Sequence, residues 1–255
     1  MQKGKIALVT GGSSGIGFEV AVALGSQGVR VAVVASSSAA KARACVDRIA
    51  ANGGNAMPFV ANVSNVGEVM ALVHQVEVDM GHIDFLVNSA GVYYPTPVGM
   101  TSEKEFDRMV SINLKGSFFA INAVASGMRE RRAGRIVNVA SVAGIVGSPN
   151  YSLYAATKAG ILAMTKSIGV ELAPFGINVN VIVPGNTETP MNEDIRMAPQ
   201  FAPNRERIAR ITPSQRLFTP PQEIASGILF LLSDAAKGMY GSALVIDEGR
   251  SAGIP

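Results

Sequence analysis

The chain has 255 residues, 48% of them apolar and 16% charged, which is enough to bury one large α/β core and too apolar for an intrinsically disordered segment. Its 27 Gly and 13 Pro are dispersed, so no collagen-like or low-complexity tract is present. A net charge of +3 is too weak an imbalance to mark a nucleic-acid binder. The one basic cluster, Arg129, Arg131, Arg132 and Arg135 around Glu130, reads as a solvated helix end. The single cysteine, Cys45, excludes an internal disulfide framework and suits a reducing compartment. The first apolar run is too short for a secretion signal, and none nears the length of a membrane span. A soluble cytoplasmic protein is therefore expected, with no membrane or nucleic-acid partner and no metal site.

Seven short runs read as strands: Ile6–Thr10, Val31–Ala35, Met57–Ala61, Ile83–Asn88, Arg135–Ala140, Asn178–Val183 and Ala243–Asp247. They are apolar nearly throughout instead of alternating, as expected of a parallel sheet covered on both faces. Between them lie helix-like stretches such as Phe18–Gln27 and Glu68–Met80, with apolar residues three and four apart. Repeated strand–helix–strand units imply right-handed crossovers and one doubly wound, Rossmann-type α/β domain over residues 1–255. Only the segment between Pro184 and Pro221 looks irregular. It is rich in proline, follows a strand's carboxyl end, and is expected to supply a substrate lid at about 186–216.

The first strand runs into Thr10-Gly11-Gly12-Ser13-Ser14-Gly15-Ile16-Gly17 and then a helix. Glycines there permit a tight turn and close backbone approach, and a helix N-terminus offers free N–H groups to a pyrophosphate. The second strand ends in Ser36-Ser37-Ser38, with no acid before Asp47. An acid at that point would bind the adenosine ribose hydroxyls and repel a 2′-phosphate. Three hydroxyls, a helix start and the nearby Lys41 and Arg43 can accommodate the phosphate instead, so NADP is favoured, with NAD as the alternative. Against this lean, the glycine turn carries no Arg or Lys, and the serines also suit a simple N-cap.

Tyr154 and Lys158 stand four apart, hence on one face of a helix. A tyrosine that exchanges protons near neutrality needs its pKa lowered by about three units, or roughly 4 kcal/mol. A lysine ammonium at about 4 Å would supply roughly that amount, with burial opposing it. Taken singly, each residue also has a plainer role: Tyr154 packed by its ring, Lys158 a snorkelling cation, Ser141 a turn cap, Asn113 bonded to backbone.

Thr10–Gly17, Asn88-Ser89-Ala90-Gly91, Asn113, Ser141, Tyr154-Ala155-Ala156-Thr157-Lys158 and Pro184-Gly185 occur in that order, with Tyr154 thirteen positions after Ser141. On these residues the chain, over nearly its whole length, resembles the classical short-chain dehydrogenase/reductase family, especially the subgroup that includes 3-oxoacyl-carrier-protein reductases. The resemblance implies a seven-stranded parallel sheet in the order 3-2-1-4-5-6-7 and NAD(P)-dependent interconversion of a ketone and a secondary alcohol. It implies that Tyr154 is the acid/base, that Lys158 also binds the nicotinamide ribose, that Ser141 bonds the substrate oxygen, and that Asn113 holds a relay water. The cofactor would meet Gly11, Ser13, Ser14, Gly15, Ile16 and Gly17, then Ser36–Ser38, then Asn62 and Val63 beside the adenine. Asn88, Ala90 and Gly91 would line its channel, and Pro184, Gly185, Thr187 and Thr189 would meet the nicotinamide.

Departures from the family pattern are Asn62 for Asp, Ser89 for Asn, the polar pair Asn186-Thr187, and Glu248 where a second Gly is usual. The last puts the C-terminal turn in question. Of two basic positions that the carrier-protein reductases use for docking, the Arg131-Arg132 neighbourhood is basic here, but the other position holds Phe175. Tyr93, Tyr94, Val142, Ile145, Val146, Tyr151, Met191 and Met197 suggest an apolar substrate pocket and a small ketone or alcohol of low polarity. The family's usual homotetramer would be built on long helices at about Glu103–Met128 and Tyr151–Ala173. The rival readings are an NAD-linked alcohol oxidiser and a non-catalytic dinucleotide-binding regulator.

Overall fold

The computed structural model describes residues 3–253; the other four residues of the expected 1–255 domain lie outside them. Seven strands form one parallel sheet: β1 Ile6–Thr10, β2 Arg30–Ala35, β3 Asn55–Val60, β4 Phe85–Asn88, β5 Gly134–Val139, β6 Ile177–Pro184 and β7 Ala243–Ile246. They lie in the order β3-β2-β1-β4-β5-β6-β7, as the resemblance implied.

Strand alternation sorts the core into two layers. Ile6 and Leu8 of β1 pack with Val69, Leu72 and Val76 of α3 (Val66–Met80) and with Ile121 and Val124 of a later helix. Ala7 and Val9, one position over, pack with Val20 and Leu24 of α1 (Gly15–Ser26), Cys45 and Ile49 of α2 (Ala39–Ala51), and Ile228 near the chain's end. The central strands are buried residue by residue, which explains why they read as continuous apolar runs. The expectation of burial fails at the two edges. β3 and β7 each have one neighbour only, and Val60 and Val245 are exposed.

After β4 come α4 (Glu103–Val110) and α5 (Gly116–Arg131), which are joined without a break by a π-helical turn at Ser111–Lys115. A capping box of Ser102 and Glu105 starts α4, and Arg132, in the left-handed region at φ 51°, ends α5. The basic cluster stands at that helix end, as expected, with Arg129 and Arg131 in the last turn, and its side chains also make bonds within the chain. Arg129 pairs with Glu171 and lies over the Phe175 ring, Arg131 donates to the Ile83 carbonyl, and Arg132 donates to the Pro174 carbonyl. Arg135 belongs to β5 and pairs with Asp234.

The long helix α6 (Ser152–Leu172) lies against β6, followed by the segment expected to be irregular. That segment is mostly short helix: a turn at Pro190–Asn192, α7 (Glu193–Met197), a turn at Pro199–Phe201 and α8 (Ala202–Arg210). Its prolines stand in first turns, where a missing N–H leaves no bond unmade, so the breaker residues read from the sequence are helix starters. α9 (Pro221–Leu231) returns beside α1. No described helix is long and apolar enough to cross a membrane.

The approach of α6 is close. A Cβ on Gly169 would stand 2.5 Å from the Gly241 nitrogen and 2.8 Å from its Cα. Gly169→Ala is therefore expected to force backbone apart and lower stability by about 1–3 kcal/mol in urea unfolding. An unchanged midpoint would contradict that packing.

Candidate active site

One cavity opens at the carboxyl ends of β1, β4, β5 and β6. It gathers residues from the turn before α1, the chain after β4 and β5, the first turns of α6, and the segment after β6. Ligands of doubly wound sheets bind at such an edge.

The glycine spacing has steric causes. Gly11 (φ +67°) lies so close to the chain after β4 that an added Cβ would meet Ala90 backbone at 2.8 Å. A Cβ on Gly17 would reach the Gly11 carbonyl oxygen at 2.4 Å, which fixes how α1 leaves the turn. Gly15 (φ +55°) faces Thr189 of the segment after β6, at 3.2 Å from where its Cβ would be. Ser14 is the N-cap of α1 with no side-chain cap, so the first amides of the helix have no partner from that side chain.

Lys158 is buried, with its Nζ donating to the Val139 carbonyl at 2.8 Å and lying 5.6 Å from the Tyr154 ring centre. Burial lowers its pKa to about 8. Burial also raises Tyr154 to about 12, and the Ser141 hydroxyl, placed to bond the phenol, pulls the other way. The tyrosine stands above its ordinary value and not below it, because desolvation of the phenolate outweighs the Ser141 hydrogen bond. Ser141 ends the strand run and its Oγ accepts the Ala143 amide, so the turn-cap reading and the site reading both hold for it. Tyr93 stacks on Tyr151 with centroids at 4.5 Å and meets Tyr154 edge-on at 4.9 Å. Burial and the Tyr151 contact push the Tyr93 phenol above its ordinary pKa.

Asn113 sits in the π turn, fully buried. Its Oδ1 accepts the Val92 amide at 2.8 Å, and its Nδ2 donates to the Val92 carbonyl and to Thr157 Oγ1. Its own carbonyl accepts from Ser117 Oγ. The Asn113 side chain is bonded within the protein. It clamps the chain before Tyr93 and, through Thr157, which donates to the Tyr154 carbonyl, the first turns of α6. Asn88 departs from expectation. It lies beneath the channel, donating to the Asn138 side chain and the Ser117 carbonyl, because its strand register turns it into the helix layer. Ala90 and Gly91 do line the cavity, and so does Ser89.

Gly11, Ser14, Gly15, Ile16, Pro184, Gly185, Thr187 and Thr189 line the cavity as expected, as do Tyr93, Val142, Tyr151 and Met191. Ser13, Gly17 and Val146 do not. Tyr94, Ile145 and Met197 also lie off its wall; the Tyr94 hydroxyl donates to the Glu105 carbonyl instead. Ser36–Ser38 follow β2 outside the cavity, with Ser36 and Ser37 exposed and Ser38 at the N-cap of α2 without a side-chain cap. After β3, Asn62 Oδ1 accepts from both Ser64 donors, while Val63 is buried and touches Gly116. Glu248 does not break the C-terminal turn. In the left-handed region at φ 61°, it accepts from the Arg216 guanidinium and the Thr219 hydroxyl, tying the turn to the end of the segment after β6.

Sequence reasoning missed Asn192, Asn204, Arg207, Phe218 and Arg250 on the cavity wall. No local pattern marks them. They reach the site only through the fold of residues 190–218 and the turn after β7.

A short chain dehydrogenase family model matches residues 5–200. The chain is 37% identical over 246 residues to a 3-oxoacyl-[acyl-carrier-protein] reductase of Synechocystis sp., covering 96% of each chain. It is 37% identical over 249 residues to one of Staphylococcus aureus, covering 98% of this chain and 99% of that one. Among solved structures it matches levodione reductase at a TM-score of 0.94, with 35% identity and full coverage of both chains. It matches a variant of actinorhodin polyketide ketoreductase, solved with NADPH, at 0.92, with 34% identity over 98% of this chain and 99% of that one.

Because Lys158 is held charged below its ordinary pKa, it weakens the fold at neutral pH. The unfolded chain keeps the proton up to about 10.5 while the folded chain releases it near 8, so stability rises with pH between these values. Against Lys158→Met, urea unfolding should show the balance moving toward the parent by up to about 3 kcal/mol from pH 7 to pH 10.5. A difference that does not vary with pH would contradict the buried ammonium.

Proposed function

Because the chain belongs to the short-chain dehydrogenase family, an oxidoreductase family acting on CH–OH donors, we propose that it reduces a ketone to a secondary alcohol, with Tyr154 as proton donor. The observation that carries this reading is the meeting of Tyr154, Ser141 and Lys158 in the cavity that also takes in the glycine turn. A binding-only regulator has no need of the three together. A phenol protonated at neutral pH can serve as the donor that reduction requires.

In this reading Ser141 bonds the substrate oxygen, and Tyr154 delivers its proton to that oxygen as negative charge develops there. Lys158, fixed by the Val139 carbonyl, keeps a positive charge beneath the phenol and steadies the phenolate left behind. Asn113 is a positioning residue that holds Val92 and α6. The dinucleotide fits the residues present: uncapped amides at the start of α1 for the pyrophosphate, and the Pro184–Thr189 chain for the nicotinamide end. When bound, the nicotinamide supplies the hydride.

Tyr93, Val142, Tyr151 and Met191 make the wall around the reacting carbonyl one of low polarity. A carrier-borne substrate is disfavoured, because the cations near Arg131 are engaged within the chain and Phe175 stands under Arg129. The segment at about 186–216 is the lid. A homotetramer is proposed from exposed Phe106, Phe118 and Val170 on α4, α5 and α6. A monomeric mass by light scattering at micromolar concentration would remove that part of the proposal.

Tyr154→Phe keeps the ring and removes the donor, so turnover of a reduced ketone should fall by about 10²–10⁴-fold while cofactor binding persists. Near-normal turnover would sink the assignment.

NADP is favoured because the exposed hydroxyls at Ser36 and Ser37 and the uncapped start of α2 offer donors and no acid. Ser36→Asp sets a charge beside the 2′-phosphate, a repulsion on the order of 1–4 kcal/mol. NADPH should bind roughly tenfold to several hundredfold more weakly, with NADH level or improved. Measured kcat/KM for both cofactors decides it, and a parent that already prefers NADH strongly refutes the serine argument.

A further inference from the structure

Opposite the low-polarity wall, the cavity carries two arginines that proton transfer at Tyr154 does not use. Arg207 comes from α8 and Arg250 from the turn after β7, and both line the cavity. Within the described residues neither guanidinium has a hydrogen-bonded or ion-paired partner. Other arginines of the same segment do: Arg196 pairs with Glu188, Arg205 donates to the carbonyls of Ile195 and Ala198, and Arg216 pairs with Glu223 and Glu248.

Among the described residues, no Asp or Glu lines the cavity. Of the two acids just before Arg250, Glu248 pairs with Arg216, and Asp247 has its carboxylate on the Gly249 and Ser251 amides. Arg250 is half-buried and lies within electrostatic reach of Arg207, Tyr93 and Asp247. Burial and the neighbouring cation both hold its guanidinium below its ordinary pKa. Arg207 is exposed, while Arg250 is partly desolvated and has no ion-paired acid among the described residues, so a ligand that brings an anion offsets the cost of burying its charge. Tyr93 stands edge-on to Tyr154, and Arg250 lies within electrostatic reach of Tyr93, which associates it with the tyrosine end of the cavity.

Resting on the reading of a ketone reductase, we infer that the substrate carries a carboxylate remote from its carbonyl, held by Arg250 and Arg207. The planar guanidinium fork suits a carboxylate in two-point contact. The remaining wall, with Tyr151, Met191, Ile195, Ile208 and Phe218, suits a short apolar chain between the two groups. A free oxo-acid combines an apolar surround for the carbonyl with a cationic seat for the far end.

The test is kcat/KM, with the preferred cofactor, for acetoacetate, 4-oxopentanoate and 5-oxohexanoate, each beside its methyl ester, in the parent, Arg250→Gln, Arg207→Gln and Arg250→Lys. At the chain length that fits, the parent should prefer the acid to the ester by about tenfold or more. Each Gln variant should cut that ratio by roughly ten- to a hundredfold, and Arg250→Lys should keep part of it. The rise in Tm on adding cofactor reports that each variant is folded. An acid-to-ester ratio of one or less at every length overturns the carboxylate, as does dihydroxyacetone phosphate outrunning every oxo-acid. If esters and neutral ketones are reduced without preference for acids, ketone reduction survives and the carboxylate does not. If no ketone is reduced and no matching alcohol oxidised, the underlying reading falls and takes the carboxylate with it.

Discussion

A buried ammonium must keep a partner, and Lys158 has one in the Val139 carbonyl at 2.8 Å, at the last residue of β5. That bond requires α6 to lie hard against the sheet's carboxyl edge, and small residues allow it. A Cβ on Gly144 would stand 2.8 Å from Ala159 nitrogen, and the approach at Gly169 is closer still. With α6 so placed, Tyr154 is carried under Ser141 and against Tyr93, and its phenol is desolvated. The raised tyrosine and the lowered lysine are two results of the same burial.

The rest of the site is tied to that helix by side-chain amides in the layer below. Asn113 holds Val92 and Thr157, and Asn138 links Asn88 to Thr165 on α6. These groups are buried and nearly all bonded, so they resist displacement more strongly than an apolar layer of equal volume would. The π-helical turn follows the same logic. It puts Asn113 between α4 and α5 facing inward, where a regular helix would have carried the following residues round by a different angle.

Charge is distributed unevenly around the cavity. Three acids of the surrounding segments are engaged outside it, Glu248 with Arg216 and Thr219, Glu188 with Arg196, and Asp247 with backbone amides. Among the described residues, the cavity lining has Lys158, Arg207 and Arg250 and no Asp or Glu. A cofactor with phosphate groups and a substrate with a carboxylate would both be drawn to such a wall, one at each end. Glu248 illustrates how the imbalance is held. A left-handed, non-glycine residue is strained by roughly 1–2 kcal/mol, and its carboxylate offsets this by anchoring the segment that carries Arg207.

What the sequence by itself determined is what short windows encode. Apolar runs bounded by polar turns specify β1, β2 and β6, the Thr10–Gly17 turn requires its glycines, and four-residue spacing puts Tyr154 and Lys158 on one helical face. Edge strands were legible as strands but not as edges, since partner number is set by sheet order and not by the run itself. Only the tertiary structure decided the quantities that depend on what surrounds a group. It set the direction of the Tyr154 shift, the engagement of Asn113, the burial of Asn88 under the channel, and the pairing of most arginines in the basic clusters. It also decided that Arg207 and Arg250, distant in the chain, share one cavity. Backbone preference and periodicity act over a few residues, whereas desolvation and charge proximity act through space, so the sequence can name the acting groups while the fold sets their charge state and company.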